Sequence, residues 1–420
     1  MYNYLMTTQQ FTQFRESFSA LSTKDYRWFL LSTVGNGGGM QLQQLLRGYL
    51  VYVITGSYAM LGLLSLIQSI PLLTLSIFGG VLADRFSKKN IVQIGHIISA
   101  LNVTALGICV VQDILTVEIL AISAVISGAS ISISMPARAA MIPHIVPKKD
   151  MTNAVILNGA GMQMMRLVAP TIGGWVTAAY GPDLGYWLNA ALFFSGFIAI
   201  ALTPFVEVKE SINQKNSNSF KDAMNDIRDT FVYLNKDKVL KLVLITNVLV
   251  TVVVMPYLNL LPGYVADLFD GGAGKLGTIM AVGGIGSFMG SMIIATTTKD
   301  KNRGMLFILY NIIQAIGLGL LALAPTFVLA CLAMIIVGIG SSGRIGLSQV
   351  LVQAYVKDEF RGRVLSVYMT QWSLFLIGAF LFGILAEIIG VQAVFGLCAI
   401  LTILIAMVIV ITNPLIRKID

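Results

Sequence analysis

Between residues 27 and 412 the chain passes through twelve apolar stretches of 21 to 27 residues, each closed by a short cluster of charge, glycine or proline. About 20 such residues, rising 1.5 Å each as a helix, cross a hydrocarbon layer about 30 Å thick. The stretches are 27–53, 58–82, 90–111, 117–142, 152–178, 184–204, 239–264, 276–298, 304–324, 327–352, 364–388 and 391–412. Of 420 residues, 56% are hydrophobic and only 11% charged, with a mean hydropathy of +0.81. One globular core cannot hide that much apolar surface, so most of it must face lipid, where only internally hydrogen-bonded helices are satisfied. The expected fold is all-α and integral to the lipid bilayer. A soluble enzyme, a disordered regulator and a nucleic-acid-binding domain are excluded, and the net charge of +8 calls for a membrane explanation.

Loop charge supplies one. Assigning the N-terminus, the even-to-odd loops and the C-terminus to one side puts 23 of the 28 Lys and Arg there. The other side holds Lys275 alone, and Arg47, Arg138, Arg166 and Arg344 fall inside helices. Such asymmetry across short loops orients both termini to the cytoplasm. Five regions follow: a lead-in over 1–26, a six-helix bundle over 27–204, a linker over 205–238, a second bundle over 239–412 and a tail over 413–420. Phe11, Phe14, Phe18 and Leu21 give the lead-in an amphipathic face suited to a membrane surface, or to a plain flexible tail. In the linker, Phe220, Met224, Ile227, Phe231 and Leu234 share a helical face. Six plus six helices suggest a duplication, although a shift of 210 residues aligns few identities, among them Gly128 with Gly338, Val146 with Val356 and Gly173 with Gly383.

The loop after the second stretch reads Gly80-Val-Leu-Ala-Asp84-Arg85-Phe-Ser-Lys88-Lys89. Gly80 permits close helix approach, Asp84 suits a helix N-terminus, and Arg85, Lys88 and Lys89 hold the loop in the cytoplasm. This loop resembles the signature of the major facilitator superfamily, with Ser87 in place of its usual glycine. Met135-Pro136-Ala-Arg138 through Pro147, then Asn153-Ala154, is similar to the branch containing the enterobactin exporter and related bacterial efflux proteins. Ala169-Pro170-Thr-Ile-Gly173-Gly174 resembles that branch's exporter motif, and Phe360-Arg361-Gly362-Arg363 also fits it. Pro170, Gly173 and Gly174 read as a helix kink, or as a packing feature with no bearing on direction. The resemblance implies two bundles rocking about a central cavity. It also implies a cytoplasmic gate of Gly80, Asp84, Arg85, Lys88, Lys89, Arg361 and Arg363, with Asp84 beside the helix that begins near Arg361. Two expected features are missing. Ala124 stands where proton-coupled exporters carry an arginine, and the second half has only Lys299-Asp300-Lys301-Asn302-Arg303 for a loop signature.

No cofactor or metal is expected. Cys109, Cys331 and Cys398 are isolated, His96 and His144 have no carboxylate nearby in sequence, and Gly271-Gly-Ala-Gly274-Lys275-Leu276 fails as a phosphate loop in spacing and in its last residue. The intramembrane arginines are the chemically active residues. Arg166 and Arg344 lie nearest the midplane, while Arg47 and Arg138 sit closer to the two faces, within reach of snorkelling. Asn36, Gln43 and Arg47 share one face of the first helix, and Ser127, Ser130, Ser134 and Arg138 share one face of the fourth. All twenty acidic residues fall in loops or at helix ends, six of them external: Asp113, Glu118, Asp183, Asp267, Asp270 and Glu387. The expected substrate site is therefore Arg166, Arg344, Arg47, Asn36, Gln43 and Arg138, with either a cavity-facing role or a buried polar network open to Arg166 and Arg344. The expected protein is a non-enzymatic secondary transporter of the bacterial cytoplasmic (inner) membrane. It would export a small amphiphilic anion as a monomer, with protons as a candidate coupling ion. A lipid flippase or scramblase on the same fold, or a membrane sensor, is the alternative.

Overall fold

A computed structural model describes residues 19–204, 228–230, 232–297 and 302–419, and leaves aside the side chains of 76–85, 148, 152, 295–297, 358 and 418. The lead-in up to Phe18 and the linker residues Phe220, Met224, Ile227 and Phe231 lie outside the described residues. Apart from short turns, the described chain is helical. The helices are α1 (Lys24–Thr55), α2 (Tyr58–Arg85), α3 (Lys88–Val111), α4 (Val117–Ile145), α5 (Met151–Tyr180) and α6 (Pro182–Leu202). There follow α7 (Lys238–Val254), α8 (Tyr257–Phe269), α9 (Ala273–Thr297), α10 (Arg303–Ala322), α11 (Phe327–Tyr355), α12 (Arg361–Met369), α13 (Gln371–Ile389) and α14 (Val391–Thr412). Among the described residues ten spans are long and apolar enough to cross a membrane, with α7–α8 and α12–α13 each counting as one. At 32 and 30 residues α1 and α5 also have the length. Their glycine- and amide-rich stretches around Asn36 and Asn158, each followed by an arginine, dilute the apolar character.

Two expected stretches are interrupted. Met255 and Pro256 separate α7 from α8, because Pro256 has no N–H to offer the carbonyl of Val252. That carbonyl faces α13, where a side chain on Gly378 would meet it at 2.5 Å. Thr370 separates α12 from α13.

The chain forms two compact units, one of Met1–Arg47 with Ile70–Glu210, the other of Gly48–Ser69 with Ser211–Asp420. The end of α1 and the start of α2 therefore pack as part of the second unit. In the first unit Tyr26, Phe29, Val92, Met141 and Ile200 form a buried core, and α1 approaches α6 so closely that a side chain on Gly35 would reach the carbonyl of Leu192 at 2.7 Å. In the second unit Leu240, Phe307, Leu347, Leu351, Val364 and Tyr368 share the core, joined by Leu234 from the linker. There Gly338 of α11 lies against the backbone of Gly283 and Ser287 in α9, the small-residue packing that lets helices associate in lipid.

The duplication is legible in the elements. Helices α4 and α11 are both 29 residues long, begin behind Thr116 and Thr326, whose hydroxyls accept from the N–H three residues on, and end at Val146 and Val356. A short 3-10 turn follows each, at 148–150 and 358–360. Those caps and turns all repeat at 210 residues. The few identities at that spacing therefore mark a true structural register.

Candidate functional site

Both fourth helices, α4 and α11, carry an arginine that holds neighbouring helices together through uncharged partners. In the first unit Arg138 donates to Ser32 Oγ at 3.2 Å, to Thr33 Oγ1 and to the carbonyl of Phe29 at 3.4 Å. Its guanidinium also lies 4.9 Å from the centre of the Phe29 ring. Thr33 in turn donates its hydroxyl to Asn158 Oδ1 of α5 at 2.7 Å. Ser32 stands 3.5 Å from His96 Nε2, and His96 Nδ1 lies 2.7 Å from the carbonyl of Val92. A carbonyl only accepts, so Nδ1 carries the proton and Nε2 is left to accept from Ser32. The cluster runs from α4 to α1, and onward to α3 and α5.

The second unit repeats that plan with amides. Arg344 is fully buried and donates from Nε to Gln314 Oε1 at 3.1 Å, and from Nη1 to Asn247 Oδ1 at 3.0 Å and Thr251 Oγ1 at 2.7 Å. Asn247 and Thr251 in turn donate to Gln371 Oε1, at 2.6 and 3.2 Å. Arginine on the fourth span again reaches the first, third and fifth. Three N–H groups of this cluster, on Arg344 Nη2, Gln314 Nε2 and Gln371 Nε2, are buried without a hydrogen-bond partner among the described residues. Buried donors of that kind are costly unless something accepts from them. Both helix breaks sit beside the cluster: Thr251 lies one turn before Met255, and Gln371 directly follows Thr370. Interrupted helices at membrane depth are where transporters place their sites.

The remaining expected residues divide. Gln43 meets the serine stripe directly, donating to Ser127 Oγ at 2.9 Å, and Asn102 of α3 donates to the same oxygen at 3.1 Å. Ser130 donates to the carbonyl of Gly95, and a side chain on Gly95 would meet Ser134 Cβ at 2.7 Å. The stripe on α4 thus packs against α3. Asn36 makes a long contact with Met40 Sδ at 3.7 Å. Arg47 and Arg166 are half-buried in the first unit, and Arg47 is the last residue of α1 that belongs to it. Helix α5 continues through Pro170. Gly173 and Gly174 are buried, and a side chain on Gly173 would overlap Leu42 of α1.

At the expected gate the side chains of Gly80, Asp84 and Arg85 lie outside the described residues, and Lys88 begins α3. Lys89 donates to the carbonyls of Ala201 and Thr203 at 2.9 and 2.8 Å, a cation placed on the C-terminus of α6. Arg361 begins α12, and the Arg363 guanidinium lies 5.8 Å from the Phe360 ring centre. Lys275, in the failed phosphate loop, binds the carbonyl of Phe269 at 2.7 Å and so caps α8. Sequence reading missed Asn247, Thr251, Gln314 and Gln371. Their signal was present as isolated amides and a hydroxyl inside otherwise apolar spans.

A helical membrane chain whose halves repeat at 210 residues, each with an arginine-centred polar cluster at its heart, defines a duplicated membrane transporter. The chain belongs to the major facilitator family described as transmembrane secretion effector, whose model matches residues 15–420. It is similar to the staphyloferrin A transporter of Staphylococcus aureus, 25% identical over 83% of this chain and 86% of that one. It is also similar to the multidrug efflux pump Tap of Mycolicibacterium fortuitum, 23% identical over 93% and 96% of the two chains, and to the enterobactin exporter EntS of Escherichia coli, 22% over 70% and 68%. Among solved structures a variant of the peptide transporter POT superposes with a TM-score of 0.77 at 11% identity, covering 94% of this chain and 96% of that one. The nucleoside transporter NupG does so at 0.71 and 16%, covering 92% and 98%. These structures share the fold. The protein is a multi-pass membrane transporter of small molecules and not an enzyme.

Proposed function

We propose that this protein exports a small amphiphilic anion from a bacterial cytoplasm by alternating access of two six-helix bundles. All twelve spans then cross the inner membrane with both termini in the cytoplasm, and one chain suffices. The observation that carries the reading is Arg344, a fully buried cation held by neutral partners, with three further donors of its cluster unsatisfied. A carboxylate or phosphate supplies the missing acceptors and the missing charge together. Arg138, Arg166, Arg47, Gln43 and Asn36 belong to the same proposed pathway in the first half. Gly80, Asp84, Arg85, Lys88, Lys89, Arg361 and Arg363 serve the cytoplasmic gate, and protons are the candidate coupling ion. The relatives named for staphyloferrin A, for enterobactin and for multidrug efflux support export of organic molecules.

Metabolite profiling of cells with and without the gene, followed by uptake into inverted vesicles, tests the function. An accumulated anion that the vesicles take up is the expected result. A lipid found in place of a soluble metabolite would favour flipping. Orientation is tested separately with Lys88→Cys and Asp183→Cys in a background lacking Cys109, Cys331 and Cys398. An impermeant thiol reagent is expected to label position 183 from outside intact cells and to spare position 88. Labelling of position 88 from outside would overturn the orientation.

A further inference from the structure

The hydrogen bonds around Arg344 decide which way every amide in its cluster points. An arginine only donates, so Gln314 must turn Oε1 toward Nε and Asn247 must turn Oδ1 toward Nη1. Asn247 then has Nδ2 left for Gln371, which answers with Oε1, and the same oxygen accepts from Thr251. Each amide oxygen of the cluster is therefore engaged. The groups left over are all N–H: Nη2 of Arg344, Nε2 of Gln314 and Nε2 of Gln371. Of the five N–H bonds of a guanidinium, Nε and Nη1 use three here, and Nη2 holds the other two. The cluster has donors to spare and lacks acceptors.

Charge leads to the same place. Arg344 and Gln314 are fully buried, and Asn247, Thr251 and Gln371 are each 1% exposed. The helices that build the cluster, α7, α10, α11 and α13, carry one acidic residue, Glu387, and it lies about 24 Å along α13 from Gln371. One positive charge is thus buried without a countercharge among its bonded partners, a strongly destabilising arrangement. A water molecule would bring donors of its own and leave the charge as it is. A monovalent anion only accepts, and it cancels the charge. A dianion would exchange one buried positive charge for one buried negative charge.

We infer that the Arg344 cluster receives one monovalent anionic group, a carboxylate or a halide, and rejects dianions such as sulfate. The inference rests on the reading of Arg344 as the anion site and narrows it: the exported molecule presents a carboxylate to α11, and free chloride competes for the same place.

The deciding variant is Gln314→Glu. It keeps the size of the side chain and sets a carboxylate against Arg344 Nε, so that the protein carries its own monovalent anion. Full-length wild type and variant in detergent are titrated with sodium chloride, sodium formate or sodium sulfate, and the variant reports the general effect of salt. Chloride and formate are expected to raise the thermal midpoint of the wild type along a saturable curve that the variant does not share, while sulfate shifts both proteins alike. Wild type should broaden the chloride NMR line, and formate should restore it at a concentration about tenfold below that of sulfate, a difference of about 1.4 kcal/mol. Gln314→Glu without added anion should match or exceed the midpoint of the wild type and leave the chloride line sharp, and Arg344→Gln should also leave it sharp. Sulfate that displaces chloride as well as formate does, or a Gln314→Glu protein that is less stable than wild type in every salt, would overturn the inference. So would equal line broadening by Gln314→Glu and wild type, which would mark an adventitious ion only. In inverted vesicles, slowing of uptake by chloride identifies the exported carboxylate as the group that shares the place, and chloride binding without slowing identifies free halide as the occupant. A transported cation would end the export reading and leave the chloride result standing, so the two failures are distinguishable.

Discussion

Arg344→Gln is expected to lower transport of an anionic substrate by a factor of about 10 to 100, with normal amounts of folded protein. Charge-assisted hydrogen bonds are worth roughly 1.5–3 kcal/mol, and each 1.4 kcal/mol is tenfold. The glutamine still donates one amide to Asn247 or Gln314, which keeps the four-helix junction supplied with hydrogen bonds while removing the charge. Arg344→Lys retains the charge and loses the planar fork, so it should fall between wild type and Gln. Initial rates in inverted vesicles, normalised to folded protein, provide the measurement. Equal rates for Gln and wild type would remove Arg344 from the substrate path. A Gln variant that fails to fold while Arg344→Met folds would point to mismatched amides as the cause and would leave Met for the transport assay.

Gly338→Val should have the larger effect on stability. The added Cβ would fall on the carbonyl of Gly283 and within 2.7 Å of Ser287 N. These are backbone atoms of α9 and cannot rotate aside. Overpacking costs about 1–3 kcal/mol where side chains can adjust, and here the helices themselves must separate. Most of the folded protein is expected to be lost in detergent, read as the monodisperse fraction and the thermal midpoint. Gly346→Ala, on the same helix, meets only Ile294 Cδ1 at 3.7 Å and should be neutral or slightly stabilising, since alanine is the better helix former. Comparable loss in both variants would show that α11 resists any glycine replacement, and the seam with α9 would lose its special standing.

Ten spans among the described residues were readable because lipid asks for length and apolarity together, while α1 and α5 meet that rule in length and are diluted in apolar character. The breaks were not. Pro256 sits in a stretch that stays apolar on both sides, and Thr370-Gln371 is too short a polar pair to divide 364–388. The arginines stood out individually because a charge inside a span is rare. Their partners did not, since Asn247, Thr251, Gln314 and Gln371 come from three spans whose adjacency only the fold creates. Arg138 illustrates the same limit. Its place near a membrane face left snorkelling within reach, and in the structure it donates to Ser32 and Thr33 of α1, an adjacency that only the fold creates.

At the 210-residue register Arg344 corresponds to Ser134 and Arg138 to Ser348, so each fourth helix carries an arginine and a serine one turn apart, in reversed order. One turn is about 5.4 Å. Each half thus sets its positive charge one turn along the helix from the place that the other half's register would give it. Lineages built on this duplication could reshape what they carry by exchanging two neighbouring residues, leaving every helix where it stands.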